Sequence, residues 1–342
     1  MAEASLEVRS GALESQDTDL SVHLAADLRL TNPVMISSGI LGYDSYGQDH
    51  ISSYPLSELG AVVPKTVTVL PRDGNKEPRQ FPHHYRNAWE QGDFLFLNSF
   101  GLNNPGAQSV VEEWLPKWVE WNATVVFSIA GFSCEDFSKL ASIADKASGI
   151  NALELNLSCP NVEHRADFSH DPRLTYDAVT AVKANTGLPV LAKLSPSVPD
   201  ITQIALAAVE GGADALTICN TLPALRIDLT ARQPVLGNIT GGLSGMSLRP
   251  VSLALVYQTA QALQESGKNI PIIGVGGIFE AEHAIEYILA GATAVQVGSA
   301  NWVDPETPWR ILDGLRKYMA ENRITSLDEI RGAAHPAVAA TH

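Results

Sequence analysis

Pro271-Ile272-Ile273-Gly274-Val275-Gly276-Gly277 and Ala294-Val295-Gln296-Val297-Gly298-Ser299 are two short apolar runs, rich in β-branched residues, each ending in glycine. Between them Ala281–Leu289 carries apolar residues at helical spacing. Strand, helix and strand in this order make a crossover unit, which leaves its two strands parallel and buried on both faces. The same unit recurs back along the chain. Strand patterns at Val34–Ser37, Ala61–Thr66, Thr124–Ser128, Ala152–Leu157, Pro189–Leu194 and Ala215–Asn220 precede Pro271–Gly274 and Ala294–Gly298. Helical patterns at Gln108–Trp121, Glu135–Ala147, Thr175–Asn185, Ile201–Glu210 and Ser247–Gln264 lie between them, and Pro308–Glu321 follows the last strand. Eight such units predict an α/β fold that either closes or stays open as a doubly wound sheet. The count of eight favours closure into a (β/α)8 TIM barrel, with a short N-terminal hairpin and inserted loops or antiparallel strands at the C-terminal face.

Composition narrows the partners. The 342 residues carry 23 Lys and Arg against 38 Asp and Glu, a formal charge of −15 that repels nucleic acid and anionic lipid. Any anionic ligand must be held by local groups. Cys134, Cys159 and Cys219 are odd in number and scattered, and His83, His84, His164 and His170 show no ligand spacing, so no metal is expected. Residues 1–19 read as a flexible acidic extension without a secretory pattern, 20–335 as one catalytic domain and 336–342 as a tail. The longest uncharged run, Tyr287 to Val303, is broken by Gly291, Gln296, Gly298 and Asn301. A cytoplasmic protein with no membrane partner is the expectation.

Barrel active sites lie at the C-terminal ends of the strands. Those ends read Ser37-Ser38-Gly39, Lys65-Thr66, Ser128, Asn156, Lys193, Cys219-Asn220-Thr221, Gly276-Gly277 and Gly298-Ser299. Three long connections, Val67–Phe96, Cys159–Asp171 and Thr221–Gly245, lie at the same face; the alternation at Leu225–Leu229 suggests a small antiparallel insertion in the third. The Gly276-Gly277 and Gly298-Ser299 pairs suit a phosphate held by backbone N–H groups, although tight strand-to-helix turns use glycine as well. Their spacing is not a dinucleotide fingerprint.

Lys193 ends an apolar strand, and a cation there needs a negative partner. Glu154 is one candidate; a flavin, on which negative charge develops around N1 and the C2 oxygen during reduction, is another. Cys159 precedes Pro160, which stiffens the turn, and has Asn156 and Asn161 close by in sequence. A lone cysteine is more often a small buried hydrophobe than a catalyst. Its loop position and its neighbours make Cys159 the candidate base, whereas Cys219 reads as a passive lining residue and Cys134 as part of a helix start.

Taken in order, these motifs resemble the soluble class 1 dihydroorotate dehydrogenases, and most nearly their B-type catalytic subunit. The resemblance rests on Asn32-Pro33, Lys65-Thr66-Val67-Thr68, Pro71-Arg72-Asp73-Gly74-Asn75 and Leu97-Asn98-Ser99-Phe100-Gly101-Leu102. It continues through Glu154-Leu155-Asn156-Leu157-Ser158-Cys159-Pro160-Asn161, Lys193-Leu194-Ser195-Pro196, Asn220-Thr221, Gly241-Gly242-Leu243-Ser244-Gly245 and the two glycine pairs. It implies FMN held by Ser38, Lys65, Thr66, Ser128, Asn156 and Lys193 on one side and by Cys219, Gly245, Gly276, Gly277, Gly298 and Ser299 on the other. Dihydroorotate is implied against Lys65, Asn98, Ser99, Phe100, Gly101 and Leu102, with Asn156, Asn220 and Thr221. Cys159 then removes the C5 proton while hydride leaves C6 for flavin N5. The chain departs from the family in Glu163-His164-Arg165-Ala166-Asp167-Phe168-Ser169, in the longer Phe81–Asp93 stretch and in Leu222-Pro223-Ala224-Leu225-Arg226.

The resemblance also implies a homodimer, a partner subunit carrying FAD and an iron–sulfur cluster, and a place in UMP biosynthesis. Two alternatives stand beside this reading: a related FMN-dependent reductase of dihydrouracil-type rings, and a non-redox lyase or isomerase that binds a phosphorylated substrate at the glycine pairs.

Overall fold

Short runs whose side chains are apolar on both faces can be satisfied only with neighbours inside and helices outside. The structure, a computed structural model that describes residues 18–43, 53–158 and 168–336, builds them in that way. The barrel strands are β1 (Val34–Ile36), β2 (Ala61–Val62), β3 (Val126–Ile129) and β4 (Ala152–Asn156). They continue as β5 (Val190–Leu194), β6 (Ala215–Ile218), β7 (Ile272–Val275) and β8 (Ala294–Val297). All pair in parallel in the order β2-β1-β8-β7-β6-β5-β4-β3. Parallel bridges Val62↔Val125 and Val67↔Ile129 join the two ends of this row and close the ring.

The helices on the outside are α1 (Cys134–Asp145), α2 (Pro172–Lys183), α3 (Ile201–Glu210), α4 (Arg249–Glu265), α5 (Ala281–Leu289) and α6 (Thr307–Asn322). Local chemistry sets their starts. Ser133, Asp171 and Asp200 accept the free N–H groups of the first turns of α1, α2 and α3. Proline opens α2, α4 and α6, where its missing N–H is not needed. The expected helix over Gln108–Trp121 is interrupted: Ala107–Ser109 and Leu115–Val119 flank a wider π turn at Val110–Trp114. None of the described helices is long and apolar enough to cross a membrane.

At the N-terminal end of the described chain Val22–Ala25 and Leu28–Leu30 form the expected antiparallel hairpin, and Asp19 bridges to Ser326. At the opposite face lie the inserted strands. Leu222–Ala224, Gly241–Ser244, Phe96–Asn98 and Gln80–Phe81 make one antiparallel sheet in that order, and Ile227–Asp228 pairs with Gln233–Pro234 beside it. Within the long loop after β2 a short helix, Tyr85–Glu90, is held by aromatic contacts. Trp89 stacks on Phe279 at 4.4 Å and Tyr85 meets Phe96 edge-on at 4.6 Å.

Candidate active site

Because parallel strands share one direction, their polar C-terminal residues meet at one rim. A cavity of about 190 Å³ opens there, an order of magnitude beyond the roughly 10–15 Å³ that admits one water. Of the described candidates, Ser38, Lys65, Thr66, Asn156, Lys193 and Cys219 line it, as do Gly276, Gly277, Gly298 and Ser299. Asn98, Phe100, Gly101, Leu102, Asn220 and Thr221 complete the wall from the inserted sheet and the end of β6. Three candidates stand back from the surface. Ser128 is buried behind Thr66, their hydroxyls 2.8 Å apart; Ser99 is buried against Asn75; Gly245 donates its N–H to Ser299 Oγ at 3.1 Å. Cys159 and Asn161 lie outside the described residues.

Two ends of the cavity differ in chemistry. Gly276 and Gly277, which follow β7, have φ of +136° and +66°, so the backbone there turns in a way that side chains resist. A Cβ on Gly277 would fall 2.6 Å from Arg249 Cβ and 2.9 Å from Arg249 N, at the start of α4. With Gly298 and Ser299 after β8 they form a cradle of small residues suited to an anion. Asn156 ends β4, three strands from β7 and four from β8 around the ring of eight, and hence across the mouth.

Asn220 ties that far side together. Its Nδ2 donates to Asn156 Oδ1 at 3.0 Å and to Ser158 O at 2.6 Å, and its Oδ1 accepts from Thr221 N at 2.8 Å. Ser158 is the neighbour of Cys159 in the chain. On another wall Ser38 Oγ lies 3.1 Å from Thr66 Oγ1, to which Asn156 Nδ2 donates at 3.5 Å. Lys65 Nζ stands 4.7 Å over the Phe100 ring.

Both partners considered for Lys193 remain available to it. Its Nζ is 3.2 Å from Glu154 Oε1, and the side chain also lines the cavity floor. Cys219 is buried against the floor, and burial pushes its thiol up to about 12, with the Ser252 hydroxyl and the Lys193 charge pulling back. Such a thiol stays protonated, as a passive lining residue should. Cys134 is the first residue of α1, remote from the cavity wall.

Tyr85 and Trp302 also line the cavity, and sequence reasoning did not single them out. Their rings stack at 6.4 Å. The aromatic stretch Phe81–Asp93 was the available signal for Tyr85; Trp302 sits on the short helix Ala300–Val303 directly after the second glycine pair, and its place shows only once β8 is positioned.

The family described as dihydroorotate dehydrogenase matches residues 20–319. Three similar proteins carry the name dihydroorotate dehydrogenase B (NAD(+)), catalytic subunit. One from Desulforudis audaxviator is 43% identical over 311 residues, 91% of this chain and 96% of the relative. One from Desulforamulus reducens is 43% identical over 309 residues, 90% and 96% of the two chains. A third, from Geotalea uraniireducens, is 40% identical over 316 residues, 92% and 98%.

Proposed function

The chain belongs to the dihydroorotate dehydrogenase family, oxidoreductases acting on CH–CH groups, and we propose that it oxidises dihydroorotate to orotate with a bound FMN, in pyrimidine biosynthesis. The observation that carries the reading is the two-ended cavity. One end is a bare glycine cradle after β7 and β8, the other a set of amides on Asn98, Asn156 and Asn220, with the Lys193 ammonium in the floor between them. A phosphate tail suits the first end, and a ring bearing carbonyls, N–H groups and a carboxylate suits the second. Bound there, FMN supplies a two-electron acceptor.

Cys159 is the base in this reading. Its Sγ takes the C5 proton of dihydroorotate, the electrons of that bond form the C5=C6 double bond, and hydride leaves C6. Lys193 would offset negative charge on the reduced acceptor. Asn98, Asn156 and Asn220 orient the substrate ring, and Lys65 offers a cation beside it. Support for Cys159 comes from its place in the chain: the residue before it is clamped to the cavity wall by Asn220. With a free thiol near 8.5, depression of the Cys159 value toward neutrality belongs to the proposal.

The relatives' name, a catalytic subunit linked to NAD(+), supports a second subunit carrying FAD and an iron–sulfur cluster; a homodimeric, cytoplasmic catalytic unit completes the proposal.

The experiment is anaerobic flavin bleaching by dihydroorotate compared with dihydrouracil. Rapid bleaching by dihydroorotate alone is the expected result; bleaching by dihydrouracil alone, or a protein that binds no flavin, would refute the proposal. Cys159→Ala should slow flavin reduction by about 10²–10⁴-fold with FMN still bound, the usual worth of a positioned base. Unchanged reduction kinetics would remove Cys159 from that role.

A further inference from the structure

Under the cavity floor lies a polar layer that a barrel interior does not need for packing. Glu154 on β4 is fully buried, yet its carboxylate touches Gln296 on β8, four strands away around the ring, a contact possible only inside the barrel. Strand alternation explains the arrangement. Glu154, Thr217 and Gln296 each lie two residues before a cavity residue, Asn156, Cys219 and Gly298, and therefore point inward one layer below them.

All the partners of the carboxylate are donors. Lys193 Nζ is 3.2 Å from Oε1; Gln296 Nε2 donates to Oε2 at 2.6 Å and Thr217 Oγ1 at 3.2 Å. Gln296 Oε1 in turn lies 3.4 Å from Lys193 Nζ. An ammonium has three N–H donors. Glu154 and Gln296 engage two from below, and Lys193 presents its remaining side to the cavity that it lines. A buried pair of this kind gives little stability beyond what well-packed aliphatic side chains would give. Its effect falls instead on whatever sits above Lys193.

We propose that Glu154 is a positioning residue that fixes the place and the effective charge of the Lys193 ammonium, and through it the reduction potential of the flavin. The inference rests on the FMN reading above. Two-electron reduction places negative charge on the ring, which the ammonium stabilises and the carboxylate behind it opposes. Removing the carboxylate charge exposes the bound flavin to an unopposed cation. Weakening the donors around the carboxylate does the reverse.

The test is an anaerobic potentiometric titration of FMN-loaded protein, with FMN affinity measured first by fluorescence quenching. Glu154→Gln is expected to raise the ratio of reduced to oxidised flavin at a fixed potential about tenfold, ~30 mV for a two-electron couple. Glu154→Asp, which keeps the charge, should stay closer to the wild type. Thr217→Val removes one donor while keeping the size of the side chain, and should lower the ratio; it decides the matter by itself if Glu154→Gln does not fold. FMN-loaded variants whose potentials match the wild type would overturn the inference and leave the FMN reading intact. A wild-type protein that binds no FMN would overturn both.

Discussion

Asn220 uses both the amide nitrogen and the oxygen of its side chain to tie the cavity wall beside Ser158, the residue before Cys159. One amide reaches Asn156 Oδ1 and Ser158 O, and the carbonyl accepts from Thr221 N. Replacing it with alanine leaves the Ser158 carbonyl and the Asn156 side chain without that donor, at the point where the chain enters Cys159. Asn220→Ala is expected to slow flavin reduction by about 10–100-fold, since small misplacements of a reacting group lose rate steeply. FMN affinity should hold within about threefold, because the phosphate cradle lies across the mouth. Stopped-flow reduction under anaerobic conditions is the measurement, and a wild-type rate would show that this clamp does not position the base. Cys219, which lines the cavity, supplies the contrast. Burial holds the Cys219 thiol near 12, where it cannot serve as a base near neutrality.

At the scale of elements, the turn from β7 toward α5 carries the most constrained backbone in the site. Gly277→Ala combines a left-handed φ with a Cβ pressed onto Arg249 backbone and side-chain atoms. It is expected to lower stability by about 1–3 kcal/mol, read from urea unfolding, and to raise the FMN dissociation constant at least about tenfold. Gly298→Ala is the control for stability. Its Cβ would meet nothing nearer than Ser37 Cβ at 3.7 Å, so its unfolding midpoint should stay close to the wild type. Equal stability of the two variants would refute the strain argument. The elements also show what sequence could carry. The eight barrel strands were legible because buried, mostly aliphatic residues run along both faces, as at Val34, Met35 and Ile36 or Val190, Leu191 and Ala192, and because helical spacing returns between them. The inserted sheet was legible only in part. The alternation at Leu225–Leu229 pointed to antiparallel strands, but Phe96–Asn98 pairs with Gly241–Ser244 far along the chain, and such pairing leaves no local trace. The helix Tyr85–Glu90 is too short for periodicity to declare and depends on Trp89 and Tyr85 finding Phe279 and Phe96. The rim residues were readable because each follows a strand. The polar layer below them was readable only as the possible pair of Lys193 with Glu154; Thr217 and Gln296 joined it once closure brought β6 and β8 across from β4.

For the whole molecule, the decisive quantity is where two electrons go after they leave C6. The chain has three cysteines, Cys134, Cys159 and Cys219, fewer than the four thiolates that ordinarily hold an iron–sulfur cluster. Cys219 is buried in the cavity wall and Cys134 opens α1, so these two are not gathered into one ligand set. The glycines after β7 and β8 have the spacing of a phosphate cradle and not of a dinucleotide fold, so these turns do not read as a seat for NAD beside the proposed flavin. If FMN and dihydroorotate share one cavity, as proposed, onward transfer must cross the surface to another carrier. The expected behaviour follows from that geometry. Purified FMN-loaded chain, mixed anaerobically with dihydroorotate, should bleach once and stop, and added NAD should yield no NADH above a protein-free control. Adding the FAD and iron–sulfur subunit should restore continuous turnover, followed as NADH absorbance against time. A single chain that reduces NAD as fast as its flavin bleaches would overturn the two-subunit reading, and would require a second nucleotide site on the barrel itself.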